Sequence, residues 1–133
     1  MLHEVAVKDF MSASLVTFKQ DMPVLDAIQQ LVELRISGAP VVDNLGNLVG
    51  MLSEKDCLKV ALNTGYYEEL GGSVSEYMTT KVETVETTAS ILELARFFLE
   101  TPFKRFPVIG EDNTLVGQIS RADVLRAILK IRT

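Results

Sequence analysis

A stretch of fifty-two residues occurs twice in this chain at one fixed offset. Residues 49–58 (VGMLSEKDCL) are mirrored by 116–125 (VGQISRADVL), and laying 7–58 on 74–125, an offset of 67 residues, needs no gap. Identical residues then pair at Val7/Val74, Met11/Met78, Thr17/Thr84, Leu25/Leu92, Glu33/Glu100, Pro40/Pro107, Val41/Val108, Leu48/Leu115, Val49/Val116, Gly50/Gly117, Ser53/Ser120, Asp56/Asp123 and Leu58/Leu125. Other pairs keep their character, among them Phe10/Tyr77, Ser12/Thr79 and Asp26/Glu93. Whatever one half folds into, the other must fold into as well. A half of this size is thin for an independent core, so the two copies are expected to share one.

Each copy reads as β-α-β-β-α. After a short polar entry (Val7 to Met11, Val74 to Met78), an extended stretch, Leu15 to Phe18 or Val82 to Val85, leads to a capping signal: Asp21 before Pro23, or Thr87 and Thr88 before Ser90. A helix follows. Its apolar residues Leu25, Ile28, Leu31 and Val32, and Leu92, Ala95, Phe98 and Leu99 in the second copy, are expected on one buried face. A hairpin then turns at Asp43 to Asn47 or Gly110 to Asn113, and a second helix runs from about Glu54 to Leu62 or Arg121 to Ile131. The fold class expected is mixed α/β (α+β), with one unit at 7–62, a linker at 63–73 and a second unit at 74–131. Within the linker, Tyr66-Tyr67-Glu68-Glu69 reads as a loop or a short helical turn.

Composition narrows the chemistry. The 133 residues carry a net charge of −5, which argues against the basic footprint that nucleic-acid binding requires. One Cys (Cys57) and one His (His3) build neither a disulfide framework nor a Cys/His zinc cage, and no Ser/His/Asp set, Cys/His set or P-loop is present, so an enzyme is not expected. Met1-Leu2-His3-Glu4 lacks the basic then apolar pattern of a leader, and no apolar run approaches a membrane span, which leads us to expect a soluble cytoplasmic protein without membrane insertion. Cys57, with no His nearby in sequence, reads as an inert thiol, and Met11, Met51 and Met78 as packing residues.

What remains is Ser53-Glu54-Lys55-Asp56 and Ser120-Arg121-Ala122-Asp123, each following a strand and opening a helix. One reading is structural: Ser caps the helix and Asp returns a bond from its third position. The other is functional, since an ionised carboxylate only accepts hydrogen bonds and a ribose 2′,3′-diol offers two donors. Gly50 and Gly117, lacking side chains, would let a flat ligand approach the strand. A phosphate would be repelled by the carboxylate and would need cations, which Lys104-Arg105 supply; the equivalent Ser37-Gly38 carry no charge. Thr17 and Thr84 suit a strand, and their repetition favours a functional hydroxyl. Pro40 and Pro107 read as marks of an edge strand or a loop end.

The runs Arg35 to Asp43 and Leu48 to Asp56, repeated as Lys104 to Ile109 and Gly117 to Asp123, resemble the CBS domain, the unit named after cystathionine β-synthase. With the entry segments the resemblance covers nearly the whole chain. It implies a CBS pair, or Bateman module, with two clefts that take adenosine compounds such as AMP, ADP, ATP or S-adenosylmethionine and regulate a partner protein. By the family pattern, one cleft would use Ser53 and Asp56 with Thr84, Phe103, Lys104, Arg105 and Phe106. The other would use Ser120 and Asp123 with Thr17, Ile36, Ser37, Gly38 and Ala39. The uncharged Ser37-Gly38 departs from the charged pair and favours phosphate binding in the first cleft. The resemblance also implies a homodimer made through helix faces, acting on a regulated protein that the sequence does not identify. The competing reading is an interaction module whose clefts are vestigial.

Overall fold

The computed structural model describes residues 1–63 and 71–131, so Tyr66-Tyr67-Glu68-Glu69 lie outside the described residues. Two compact units are present: a contiguous one, Val16–Val82, and a split one that joins Met1–Leu15 to Glu83–Thr133. The split follows from the entry segments. Residues 74–79, which open the second copy, pack in the contiguous unit, while residues 6–12, which open the first, pack in the split unit.

The contiguous unit contains β1 (Phe18–Lys19), α1 (Val24–Leu34), β2 (Gly38–Val42), β3 (Leu48–Ser53), α2 (Glu54–Asn63) and the single turn α3 (Val74–Tyr77). Its sheet has the order β1-β2-β3, with β1 parallel and β3 antiparallel to the central β2. In the split unit, β4 (Val85–Glu86), α4 (Ile91–Glu100), β5 (Arg105–Ile109), β6 (Leu115–Ser120) and α5 (Arg121–Ile131) repeat this plan, with sheet order β4-β5-β6. The β-α-β-β-α reading of both copies holds.

Four details differ from the sequence expectation. First, β1 and β4 are two residues long, because pairing to the central strand starts only at Phe18↔Val41 and Val85↔Val108. Thr17 and Thr84 therefore precede the strands rather than lie in them. Second, the buried stripe of α1 is Val24, Ala27 and Leu31, with Ile91, Leu94 and Phe98 at the matching positions of α4. Leu25, Val32 and Leu99, expected inside, are 40%, 71% and 88% exposed. Both stripes have the i, i+3, i+7 spacing of one helical face, rotated one residue from the expected one. Third, Pro23 stands at the N-cap position of α1 and supplies no side-chain cap, while Ser90 caps α4 by accepting from Glu93 N at 3.1 Å. Neither Asp21 nor Thr87 and Thr88 plays that part.

The fourth concerns the core. Buried apolar residues form two clusters, one per unit, in place of the single shared core. Each gains residues from the other copy's entry segment, Val74 and Tyr77 in the contiguous unit and Val7 in the split one, all nearly solvent-free. With that exchange each cluster holds ten buried residues among those described.

Pro40 and Pro107 sit within the central strands β2 and β5, where a ring without N–H is unusual. The ladder explains it. Pro40 lies opposite Met51, whose N donates to Thr79 O at 2.8 Å and whose O accepts from Thr79 N at 2.8 Å, so Met51 turns its polar groups away from β2. The antiparallel pattern then turns the Pro40 nitrogen away from β3, toward the side where β1 pairs only from Val41 onward. Pro107, opposite Gln118, repeats the arrangement, with Gln118 and Ser12 exchanging bonds of 2.9 Å. No ladder bond is lost at either proline.

Replacing Gly117 by Ala would place a Cβ 2.7 Å from Ser12 O and 2.8 Å from Met11 Sδ. Gly117→Ala should therefore cost about 1–3 kcal/mol, as overpacking does. Gly110→Ala, whose Cβ meets only Val116 at 3.3 Å and beyond, should cost distinctly less. Urea unfolding of the two variants beside wild type measures the difference, and equal costs would contradict the close approach of Met11 and Ser12 to Gly117.

Candidate functional site

The strand-to-helix junctions β3–α2 and β6–α5 carry the two Ser-x-x-Asp motifs, and both fold into closed boxes. Ser53 N and Ser53 Oγ each donate to Asp56 Oδ2 at 3.0 Å, and Asp56 N donates back to Ser53 Oγ at 3.1 Å. Ser120 and Asp123 repeat the three bonds at 2.8, 3.1 and 3.3 Å. The structural reading of these motifs is thus realised: they do cap their helices.

Capping alone leaves one observation over. Asp56 and Asp123 are each only 6% exposed and are the buried charged residues among those described. Ser90 and Glu93 place the same kind of residues at the start of α4, yet there the acid is exposed. A cap does not require a buried carboxylate, and burying one costs solvation that nearby donors must offset. Each Asp has recruited such donors on Oδ1. Lys59 Nζ stands 3.5 Å from Asp56 Oδ1, and Arg126 pairs with Asp123 Oδ1. The Thr79 hydroxyl adds a further bond to Asp56 Oδ1 at 3.2 Å. Lys59, Arg126 and Thr79 have no place in the sequence reading of the site. The signal available for Thr79 is its match to Ser12 across the repeat.

Other candidate residues gather around the same junctions, copy by copy. Gly38 pairs with Ser53, and Ser37 O accepts from Glu54 N at 2.9 Å, which brings residues 36–39 to the start of α2. Likewise Arg105 pairs with Ser120, and Lys104 O accepts from Arg121 N at 3.1 Å. Lys104, Arg105, Ser37 and Thr17 are exposed, and Ile36 is half-buried. Phe103 is 46% exposed and meets Phe106 edge-on, with ring centroids 5.9 Å apart. Phe106 itself is buried among Phe97, Phe98 and the core, and Ala39 is buried too, so these two can offer a ligand only backbone.

Two expectations change. The space beside Gly50 and Gly117 is filled by protein: a Cβ on Gly50 would lie 2.7 Å from Met78 Sδ and 2.9 Å from Thr79 O, and Gly117 faces Met11 and Ser12 in the same way. These glycines admit the entry segments, and the flat-ligand role assigned to them falls away. Separately, an open concavity of about 570 Å³ in the split unit includes Thr84 in its lining along with Glu86, Glu93, Arg96 and Glu100. With three carboxylates to one guanidinium, it is poorly suited to a phosphate.

Comparison with known proteins places this geometry in a family. The model of the CBS domain matches residues 7–63 and again 74–130, and the chain belongs to the CBS domain family, with two copies in tandem. The CBS domain-containing protein CBSX2, chloroplastic, of Arabidopsis thaliana is 31% identical over 153 residues, covering 95% of this chain and 64% of that protein. A crystal structure of CBSX2 in complex with AMP superposes with a TM-score of 0.82 at 34% identity, covering 97% of this chain and 99% of that one. The cytosolic domain of the Mg2+ channel MgtE, crystallised with ATP, superposes with a TM-score of 0.77 at 28% identity, covering 93% of this chain and 49% of that one. The chain spans 64%, 46% and 63% of three of the curated relatives it matches. Among the described residues no helix is long and apolar enough to cross a membrane.

Beside the site, Cys57 follows Asp56 on α2, and burial, with the charges of Asp56 and Glu54, pushes its thiol up from the ordinary value. A raised value means less thiolate at neutral pH. Reaction of native protein with a disulfide reagent at pH 7.5 should therefore be slower than that of the urea-unfolded chain and should accelerate on raising the pH. Equal rates for native and unfolded protein would contradict this placement.

Proposed function

We propose that this chain is a regulatory module that binds an adenosine-containing ligand and modulates another protein without catalysing a reaction. The observation that carries the proposal is the pair of buried, boxed carboxylates, Asp56 and Asp123, which as ionised groups can accept from the hydroxyls of a ribose diol. The AMP complex of CBSX2 and the ATP complex of the MgtE domain support the ligand class. In this reading the two Asp carboxylates accept from ribose hydroxyls, Lys104 and Arg105 meet phosphate, and the exposed edge of Phe103 lies against the base. Thr17 and Thr84 add hydroxyls, Ser53 and Ser120 hold the carboxylates, and residues 36–39 and Phe106 contribute backbone. Regulation then follows from linkage: a ligand that binds one arrangement of the chain better than another shifts the population toward it.

Thermal unfolding with AMP, ADP, ATP and S-adenosylmethionine tests the proposal directly. A ligand at a hundred times its Kd should stabilise the fold by about 2.7 kcal/mol. Asp56→Ala should lower stability by about 1 kcal/mol as a lost cap does and also reduce the ligand effect. Ser90→Ala, which removes a cap with no ligand role, should lower stability and leave the ligand effect intact. If none of the four compounds shifts unfolding or gives heat by calorimetry, the interaction-module reading with vestigial clefts takes its place.

We also propose a homodimer as the working state. Leu58 and Leu62 on α2 and their matches Leu125 and Leu129 on α5 are 70%, 78%, 62% and 55% exposed, so each copy presents an apolar helix face. Two matched patches on one chain suit the self-complementary contact of a twofold dimer. Sedimentation should show a dimer for wild type and a monomer for the double variant Leu62→Asp/Leu129→Asp; a monomeric wild type would refute the assembly.

A further inference from the structure

We infer that Thr79 is a positioning residue for Asp56, fixing the carboxylate in the orientation that meets a ribose diol, and that the second copy lacks this device. The inference rests on the adenosyl-ligand reading above.

Acceptor counting locates the role. Asp56 Oδ2 already receives Ser53 N and Ser53 Oγ, both at 3.0 Å, which occupies its two lone-pair directions. Incoming hydroxyls must therefore turn chiefly to Oδ1. Two groups stand there. Lys59 Nζ, at 3.5 Å, is the tip of a side chain that is 60% exposed, and a ligand can displace it. Thr79 Oγ1, 3.2 Å from Oδ1 and 3.4 Å from Oδ2, bears on the carboxylate chiefly through Oδ1 and is fixed from behind by its backbone, which exchanges two 2.8 Å hydrogen bonds with Met51 on the outer edge of β3. The carboxylate is thus held from α2's own cap on one side and from a different segment on the other. An acceptor set in advance spares the ligand the cost of ordering it.

The matching position of the second copy shows what happens without this arrangement. Ser12 takes the same seat on β6, exchanging 2.9 Å bonds with Gln118, yet its hydroxyl donates to Ser14 O at 3.5 Å. Asp123 Oδ1 is engaged by the Arg126 guanidinium, whose side chain is as exposed as that of Lys59, so no hydroxyl fixed by its backbone holds this carboxylate. Thr79 and Ser12 therefore make the two carboxylates unequal, and the Asp56 carboxylate is the better prepared for a diol.

Calorimetric titration of wild type, Thr79→Val and Thr79→Ser with AMP and with 2′,3′-dideoxy-AMP separates positioning from general support. Thr79→Val keeps shape and backbone while removing the hydroxyl. It should weaken AMP roughly three- to tenfold, the range of one net hydrogen bond, and leave the dideoxy analogue unchanged, so that discrimination between the two narrows. Thr79→Ser should restore it. Equal weakening of both ligands, or unchanged discrimination in Thr79→Val, would overturn the inference while leaving the ligand reading in place. A wild type that binds neither AMP nor any other adenosyl compound would overturn the reading itself and the inference with it.

Discussion

The structure turns on a short clamp made twice. In each unit, one residue of an entry segment, Thr79 or Ser12, exchanges a pair of backbone bonds with the outer strand of the other copy's hairpin, at Met51 or Gln118. The clamp explains several features that look unrelated in the sequence. Gly50 and Gly117 lack side chains because the entry segment lies against them, and Met78 and Met11 pack there. Pro40 and Pro107 stand opposite the residues whose polar groups the clamp takes, at the pairs where the antiparallel register asks no N–H of them. Each core closes around Val74 and Tyr77 or around Val7 because the clamp brings them in.

The clamp also reaches the chemistry. Asp56 is seated by a box local to its helix and touched by a hydroxyl carried on the clamped segment, so the carboxylate reports on the seating of residues 78 and 79. A ligand that gains affinity from a well-seated Thr79 must, by reciprocity, stabilise the seating of Thr79. Site and backbone scaffold are thus coupled within one unit through a single side chain.

Much of this was legible in the sequence. The gapless repeat, the β-α-β-β-α plan and the two Ser-x-x-Asp boxes rest on local patterns that a strand, a turn and a helix cap impose within a few residues. The misreadings share one cause. Leu25 and Val32 look like a buried face because apolar residues at helical spacing outnumber the positions that the sheet can cover; which of the two neighbouring stripes goes inside depends on the strand beneath. Gly50 looked like a ligand position because the segment that fills its space lies nearly thirty residues along the chain. Thr79 as a partner of Asp56 was hidden for the same reason, and no spacing rule links an entry segment to a box on the preceding copy.

The exchange of entry segments gives the two units different histories on the ribosome. Every residue of the contiguous unit falls between Val16 and Val82, so its contacts can form while the rest of the chain is still being made. The split unit joins Val7 to Ala89 and Ser12 to Gln118, contacts that close loops of about 80 and 100 residues. Its first fifteen residues must therefore wait for partners at residues 87–91 and at Gln118 before they pair. Two units of nearly one sequence plan thus differ in contact order, because only the split unit depends on contacts that span most of the chain.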